Sequence, residues 1–251
     1  MSEHTRTTVF GASAIVTLAL MLYASMSLPA FGEFTGPYTK AVLAEATRLR
    51  HVDNVPTAIN FDIRGFDTLG EEFIFFTSVA GVLLLFSAAK AAAPPAPEPM
   101  EIGDQRANTG AIRWFFAGVT ALIAAMGVSV AAHGSLTPGG GFQGGAIFGS
   151  AIVCVYLAMG TRAMDVAGNH TFFTALDALG AFSFGAIGVA TGLATGSFLG
   201  NSLGLGRTGS LVSGGTIYVI NGFVFLEIAS GFIVLLTAFI KQMRQLQEEQ
   251  Q

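Results

Sequence analysis

The sequence predicts an all-α integral membrane protein with about six transmembrane helices, two followed by four, and one amphipathic helix at the membrane interface. Of 251 residues, 52% are hydrophobic and 11% are charged, with a mean hydropathy of +0.62. Globular domains carry roughly a quarter charged residues, so this chain has too few to cover a water-facing surface. Six stretches approach the length of about 20 apolar residues that a spanning helix needs. These are residues 9–31, 71–92, 112–133, 143–161, 172–199 and 216–240.

The first apolar stretch is longer than the core of a secretory signal peptide, which has about 7–15 apolar residues. Arg6 is the only Lys or Arg that precedes it. We therefore expect this stretch to be retained as a membrane helix. Cleavage after the small residues near Ala30 is the alternative.

Two polar segments separate the apolar stretches and suggest how the chain is organised. Within residues 39–51, apolar side chains recur at helical spacing among charged ones, which predicts the interfacial amphipathic helix. Residues 93–111 begin with a proline-rich run, which is the composition of a linker. We expect a two-helix module over residues 1–92 and a four-helix module over residues 112–251.

The distribution of Lys and Arg favours cytoplasmic termini, because cytoplasmic loops carry the excess of positive residues. With six helices, the termini share one side with the linker and the 162–171 loop. That side holds seven basic residues and the other side holds five. The seven are Arg6, Lys90, Arg106, Arg113, Arg162, Lys241 and Arg244, and the five are Lys40, Arg48, Arg50, Arg64 and Arg207.

Composition also excludes several classes of function. A net charge of −4 without a basic cluster argues against a nucleic-acid partner. Cys154 is the only cysteine and lies in an apolar run, so neither a disulfide framework nor a thiolate metal site is expected. The sequence lacks an iron–sulfur signature and a nucleotide-binding fingerprint. We expect no metal and no cofactor in this chain.

Ionisable residues in the apolar stretches are the candidates for ion chemistry, because such residues are costly in a bilayer and usually face protein or water. Glu227 lies near the middle of the last stretch, and Asp177 lies nearer the start of the fifth. A relay of protons or cations is the functional interpretation of both. The alternative for Glu227 is a neutral carboxyl that fixes helix packing. For Asp177 it is a favourable interaction with the helix dipole.

Further candidates lie near the membrane surface. Asp67, Glu71 and Glu72 cluster at the start of the second stretch, where acids either cap a helix or gather cations. His133 ends the third stretch, and an imidazole exchanges protons near neutral pH, although a lone interfacial histidine is usually structural. A glycine-rich run follows it. At membrane depth such irregular backbone must be buried in protein or line a cavity.

That glycine-rich run carries a resemblance to a known family. Residues 133–145 read HGSLTPGGGFQGG and precede three more apolar stretches. Together they strongly resemble the B subunit of Mrp-type cation/proton antiporters and its hydrogenase counterparts, over roughly residues 110–245. Ser135 stands where members of that family often carry a histidine. The core of the motif consists of Pro138, Gly139, Gly140, Gly141, Phe142, Gln143, Gly144 and Gly145.

A second string lies in the first module. Residues 54–59 read NVPTAI and residues 62–71 read DIRGFDTLGE. They look like the small E-type subunit of membrane-bound hydrogenases, which corresponds to the C-terminal end of the large A subunit in Mrp antiporters. This resemblance covers roughly residues 10–92 and implies that Asp67 and Glu71 take part in ion passage. The motif residues beside them are Arg64, Gly65 and Phe66.

The two resemblances together imply a fusion of two neighbouring subunits in a multi-subunit complex of the cell membrane. The leading hypothesis is an accessory subunit, not itself an enzyme, that lines the ion path of a Na⁺ or K⁺/proton antiporter. Its partners would be other membrane subunits, lipid, monovalent cations and protons. Two alternatives stay open: the same module in a redox-driven complex, and a purely structural packing subunit.

Overall fold

The structure, a computed structural model, describes residues 3–26, 28, 36–92 and 110–249, and no strand occurs in these ranges. Most of the proposed linker and the possible cleavage point near Ala30 lie outside them. Contacts divide the chain into two compact units, Met1–Ala41 and Val42–Gln251. The boundaries of the two proposed sequence modules stay predictions.

The described residues form eight α-helices, of which six are long and apolar enough to cross a membrane. The prediction of an all-α membrane protein is confirmed. The helices are α1 Glu3–Met26, α2 Pro37–Ala44, α3 Val55–Ala58, α4 Gly65–Ala92, α5 Gly110–Ala132, α6 Gly141–Ala167, α7 His170–Thr195 and α8 Thr216–Glu249. Short π-helical turns, Glu45–Leu49 and Ile59–Ile63, extend α2 and α3. Helix α6 is kinked at Gly160, and the six candidate spans are His4–Met26, Gly65–Ala88, Gly110–Ala132, Gly141–Gly160, Ala163–Thr195 and Thr216–Met243.

The helix ends differ from the ends of the apolar stretches for local reasons. Helix α4 begins at Gly65 because the polar residues that precede its apolar run form its first turns. Helix α7 ends at Thr195 because Gly196 takes the left-handed conformation, with φ +78°, that terminates helices. Glycines recur every four residues from Gly188 to Gly204 in the sequence, and the last two, Gly200 and Gly204, therefore lie in the loop after α7.

Helix α8 lies at the centre of the second unit and packs against α4, α6 and α7, while α5 packs against α6. Glycines make these contacts close, as small residues do between membrane helices. A Cβ atom added at Gly145 of α6 would lie 2.8 Å from the Cβ of Ile228 in α8. One added at Gly127 of α5 would lie 2.7 Å from the carbonyl oxygen of Gly144. The helices of this unit therefore meet backbone to backbone.

Candidate functional site: three buried acids between helices

Three carboxyl side chains lie inside the second unit, one on each of three neighbouring helices. Glu72 of α4 and Asp177 of α7 are each 2% exposed, and Glu227 of α8 is fully buried. The charges that act on Glu227 come from the other two, so both Glu72 and Asp177 lie within electrostatic range of Glu227. We call these residues the buried acid trio.

The contacts between the helices fix the height of each acid along the bundle. A Cβ added at Gly180 of α7 would lie 2.6 Å from the Cβ of Glu227, which places these two residues side by side. One added at Gly231 of α8 would lie 3.0 Å from Asp177 Oδ1. Gly231 is four residues beyond Glu227, so Asp177 lies about 6 Å further along α8, towards its C-terminal end.

Glu72 lies at the height of Glu227. The ring of Phe75 touches the same Gly231 that faces Asp177, with Cζ 2.9 Å from an added Cβ. Phe86 packs edge-on against Phe239 at 5.2 Å between ring centres, so α4 and α8 run in the same direction. Glu72 precedes Phe75 by three residues and is therefore beside the turn of α8 that carries Glu227.

The carboxyl groups of the trio lack most of the hydrogen bonds that would stabilise a buried charge. Neither carboxylate oxygen of Glu227 has a hydrogen-bond partner in the described part of the chain, and the same holds for Glu72 Oε2 and Asp177 Oδ1. The neighbouring charge that acts on Glu72 is that of Glu71, which is also negative. A buried ion costs several kcal/mol unless it is paired, so these groups need a proton or a cation.

The trio does not form one chelating site. Among the described residues, no three His, Cys, Asp or Glu side chains come close enough together to hold a metal ion. The acids are instead spaced along the bundle, with Asp177 about 6 Å beyond the other two. Such spacing suits successive transfer between carboxyls better than a single tight binding site.

Aromatic rings of α4, α6 and α8 pack together beside Gly231, which faces Asp177. Phe75 stacks on Phe232 with 5.6 Å between ring centres and meets Phe142 edge-on at 6.2 Å. Ser230, which the sequence places near Glu227, donates its hydroxyl hydrogen to backbone carbonyls of its own helix, including that of Glu227. It therefore leaves the Glu227 carboxyl unpaired.

Asp67 and Glu71 lie outside the trio, although the sequence grouped them with Glu72. The side chain of Asp67 is 50% exposed and accepts a hydrogen bond from Arg64 Nε at 2.7 Å. Glu71 is exposed, and its charge acts on the neighbouring Glu72. The two acids thus lie at the surface beside the first buried carboxyl.

His133 is apart from the acids. Its Nδ1 donates to the carbonyl oxygen of Ser129 at 2.8 Å, within the last turn of α5. Ser135 is 1% exposed and donates to the carbonyl of Ser213 at 3.1 Å. The structure places both residues at the loop before α6 and brings neither to the trio.

The two sequence strings that suggested a family meet at this same loop. Asn54 of the first string places its Nδ2 within 2.7–2.9 Å of the carbonyl oxygens of Gly134, Thr137 and Gly139 in the second. Thr57 also donates to the Gly134 carbonyl, at 2.8 Å. These hydrogen bonds therefore join the residues around α3 to the loop between α5 and α6.

Asn221 of α8 completes this junction and explains the glycines of the motif. Its Oδ1 accepts from the first amide of α6, at Gly141, at 2.6 Å, and its Nδ2 donates to the Ala131 carbonyl at 2.8 Å. Cβ atoms added at Gly134 or Gly140 would lie 2.7 and 2.9 Å from the Asn221 Oδ1. Side chains at these glycines would displace Asn221.

The remaining motif residues pack around these contacts or face outward. A Cβ added at Gly65 would lie 2.9 Å from Leu199 Cδ1, and the exposed Phe66 meets Phe198 edge-on. Pro138 and Gln143 are exposed. Sequence reasoning assigned no role to Asn221 or to the buried Thr237, although an amide or hydroxyl within a long apolar helix was a usable signal.

Comparisons with known proteins agree with this architecture. Residues 111–234 match the family described as domains related to the MnhB subunit of Na⁺/H⁺ antiporters. An uncharacterized protein of Methanocaldococcus jannaschii is 29% identical over 159 residues, which cover 60% of each chain. The chain thus spans less than two thirds of the length of this curated relative.

Two solved structures share the fold. One is a chain of the membrane-bound sulfane sulfur reductase, an archaeal respiratory membrane complex, with a TM-score of 0.69 and 23% identity over 93% of this chain and 97% of that chain. The other is a chain of the Mrp complex from Dietzia sp. DQ12-45-1b, with the same TM-score and identity over 95% of this chain and 26% of that chain. Residues 111–234 thus form an MnhB-related domain, within a chain whose described residues include six helices long and apolar enough to cross a membrane.

Proposed function

We propose that this chain is an accessory subunit that lines the ion path of an Mrp-type Na⁺ or K⁺/proton antiporter. The observation that carries the proposal is the buried acid trio, because carboxyls without counter-charge at membrane depth are rare and costly. The MnhB-related domain and the Mrp-type fold are consistent with it. Other membrane subunits would supply the rest of the antiporter.

The trio provides a chemically simple relay. Glu72 and Glu227 lie at about one height, and Asp177 follows one turn further along α8. Three carboxyls of like charge are stable at this depth only when protons or a monovalent cation neutralise them. An ion that moves from one carboxyl to the next leaves a vacant acceptor behind it, so transfer through the bundle can repeat.

We also propose that the chain is a fusion of an E-type module with an MnhB-type module. The two strings that suggest this origin lie on opposite sides of the Asn54 junction. A match to about a quarter of a much longer chain in the Mrp complex is consistent with such rearranged gene boundaries. The cell membrane is the expected location, with both termini cytoplasmic by the bias of basic residues.

The test neutralises each acid without changing its shape. Glu72→Gln, Asp177→Asn and Glu227→Gln should each reduce antiport at least tenfold in everted vesicles, while the complex assembles in normal amounts. Asp53→Asn is the matched control, because Asp53 is exposed in a loop. Wild-type antiport in all three buried variants would refute the relay. Loss of assembly without loss of flux per complex would favour a packing role.

A redox-driven complex is the second candidate function. The observation in its favour is the agreement in size, since the matching respiratory chain is covered almost completely. The fold itself does not discriminate, because the two TM-scores are equal. Purification from the native membrane decides the matter: iron–sulfur and catalytic subunits among the co-purified chains would assign the subunit to a redox-driven pump.

A further inference from the structure

A cavity of about 300 Å³ lies between α4, α7 and α8, at the end of the bundle that carries the linker. Five of its eight lining residues are polar or charged, and none of the eight is acidic. The polar members are Ser87, His170, Thr237, Lys241 and Gln242. A cavity of this size has room for several water molecules, although the polar groups form the smaller part of its wall.

The cavity lies on the same face of α7 as Asp177 of the buried acid trio. His170 precedes Asp177 by seven residues on α7, which is about two helical turns, so both side chains lie on one face about 10 Å apart. Thr174 lies between them, with Oγ1 3.4 Å from His170 Nδ1. His170 and Thr174 thus lie on the same face of α7 as the nearest buried carboxyl, between the cavity and Asp177.

The innermost wall of the cavity carries a hydroxyl group without a hydrogen-bond partner among the described residues. Thr237 is 2% exposed, and its hydroxyl oxygen has no hydrogen-bond partner in the ranges that the structure describes. At the rim, Lys241 Nζ pairs with Asp165 Oδ1 at 2.7 Å. The hydroxyl requires a water molecule or another polar ligand, because a buried hydroxyl without a hydrogen bond is destabilising.

We propose that this cavity is the aqueous mouth through which protons reach the buried acid trio from the linker side of the membrane. The proposal rests on the function proposed above and adds the route. Hydroxyls and an imidazole can pass protons along water, whereas none of the eight lining residues offers a carboxylate to a metal cation. His170, which is exposed, places the imidazole at the opening of the cavity.

The test is a cysteine-labelling experiment, which is simple here because Cys154 is the only cysteine of the chain and one substitution removes it. In a Cys154→Ser background, Thr237→Cys is placed at the inner wall and Ser87→Cys at the rim. The control Leu84→Cys lies on α4 at a similar depth, and Leu84 is 69% exposed on the outer face of the unit. A cationic, membrane-impermeant methanethiosulfonate is added to the whole complex in vesicles of either orientation, because only a thiol in contact with water ionises and reacts.

Thr237→Cys and Ser87→Cys should be labelled from the linker side only, Leu84→Cys should stay unlabelled, and labelling of Thr237→Cys should slow antiport at least tenfold. Failure of both cavity positions to label, equal labelling of Leu84→Cys, or labelling without loss of antiport would overturn the proposal. If the cavity cysteines are labelled but Glu227→Gln transports normally, both the proposed relay and the proposed aqueous mouth are refuted. If Glu227→Gln is inactive but neither cavity cysteine is labelled, only the aqueous mouth is refuted.

Discussion

Gly180 is the residue that allows α7 to approach Glu227. A Cβ atom there would lie 2.6–2.8 Å from the Cβ, amide nitrogen and Cα of Glu227. Gly185, on the same helix, has nothing within 4 Å of its added Cβ. Substitution of each glycine by alanine therefore distinguishes the cost of crowding at Gly180 from the general effect of a glycine-to-alanine change in a helix, which Gly185 reports.

Gly180→Ala should destabilise the complex by about 1–3 kcal/mol, because overpacking forces the α7 and α8 backbones apart. Gly185→Ala should be neutral or stabilising by up to about 1 kcal/mol, since alanine favours helices. Thermal unfolding of the detergent-solubilised complex measures both. An equal Tm for the two variants would contradict the close contact at Glu227.

The sequence distinguished some acids and not others, for reasons visible at single residues. Glu227 stood out because its immediate neighbours in the apolar run are apolar. Glu71 and Glu72 are consecutive, so only the rotation of α4 decides that the second is buried and the first exposed. The family resemblance pointed to Asp67 and Glu71, whereas the structure buries Glu72, and the roles of all three stay proposals.

At the scale of elements, the apolar stretches predicted the helices well, since a spanning helix must be apolar over most of its length. They predicted the ends less well, because the bounds of α4 and α7 depend on polar and glycine residues outside the apolar core. The junction of the loops could not be predicted, because it depends on contacts such as Asn54 with Gly134 that are 80 residues apart.

Asn221→Leu tests that junction. It would leave the Gly141 amide without its partner, while the Ala131 carbonyl would keep the hydrogen bond from the Gly134 amide; a buried unpaired group costs about 1–3 kcal/mol. We expect a marked fall in Tm, whereas Asn60→Leu, at an exposed asparagine near the first string, should leave the Tm almost unchanged. Comparable Tm values for these two variants would show that the hydrogen bonds of Asn221 contribute little.

At the scale of the whole molecule, the second unit is held together across the linker by contacts of α4 with α7 and α8 and by the Asn54 junction. A covalent connection between the two proposed modules should then be dispensable. Residues 1–96 and 104–251, expressed as two chains, should co-purify and support antiport close to that of the intact chain. Failure of the two chains to associate would show that the linker is essential for assembly.

The central claim is that Glu227 carries ions, as opposed to fixing the packing of α8, and the most direct measurement compares two substitutions at this residue. Glu227→Gln keeps the shape and removes the charge, while Glu227→Asp keeps the charge and shortens the side chain. In vesicles with equal amounts of assembled complex, Glu227→Gln should lose antiport and Glu227→Asp should retain part of it. Full antiport with Glu227→Gln, or loss in Glu227→Asp alone, would contradict a relay at this site.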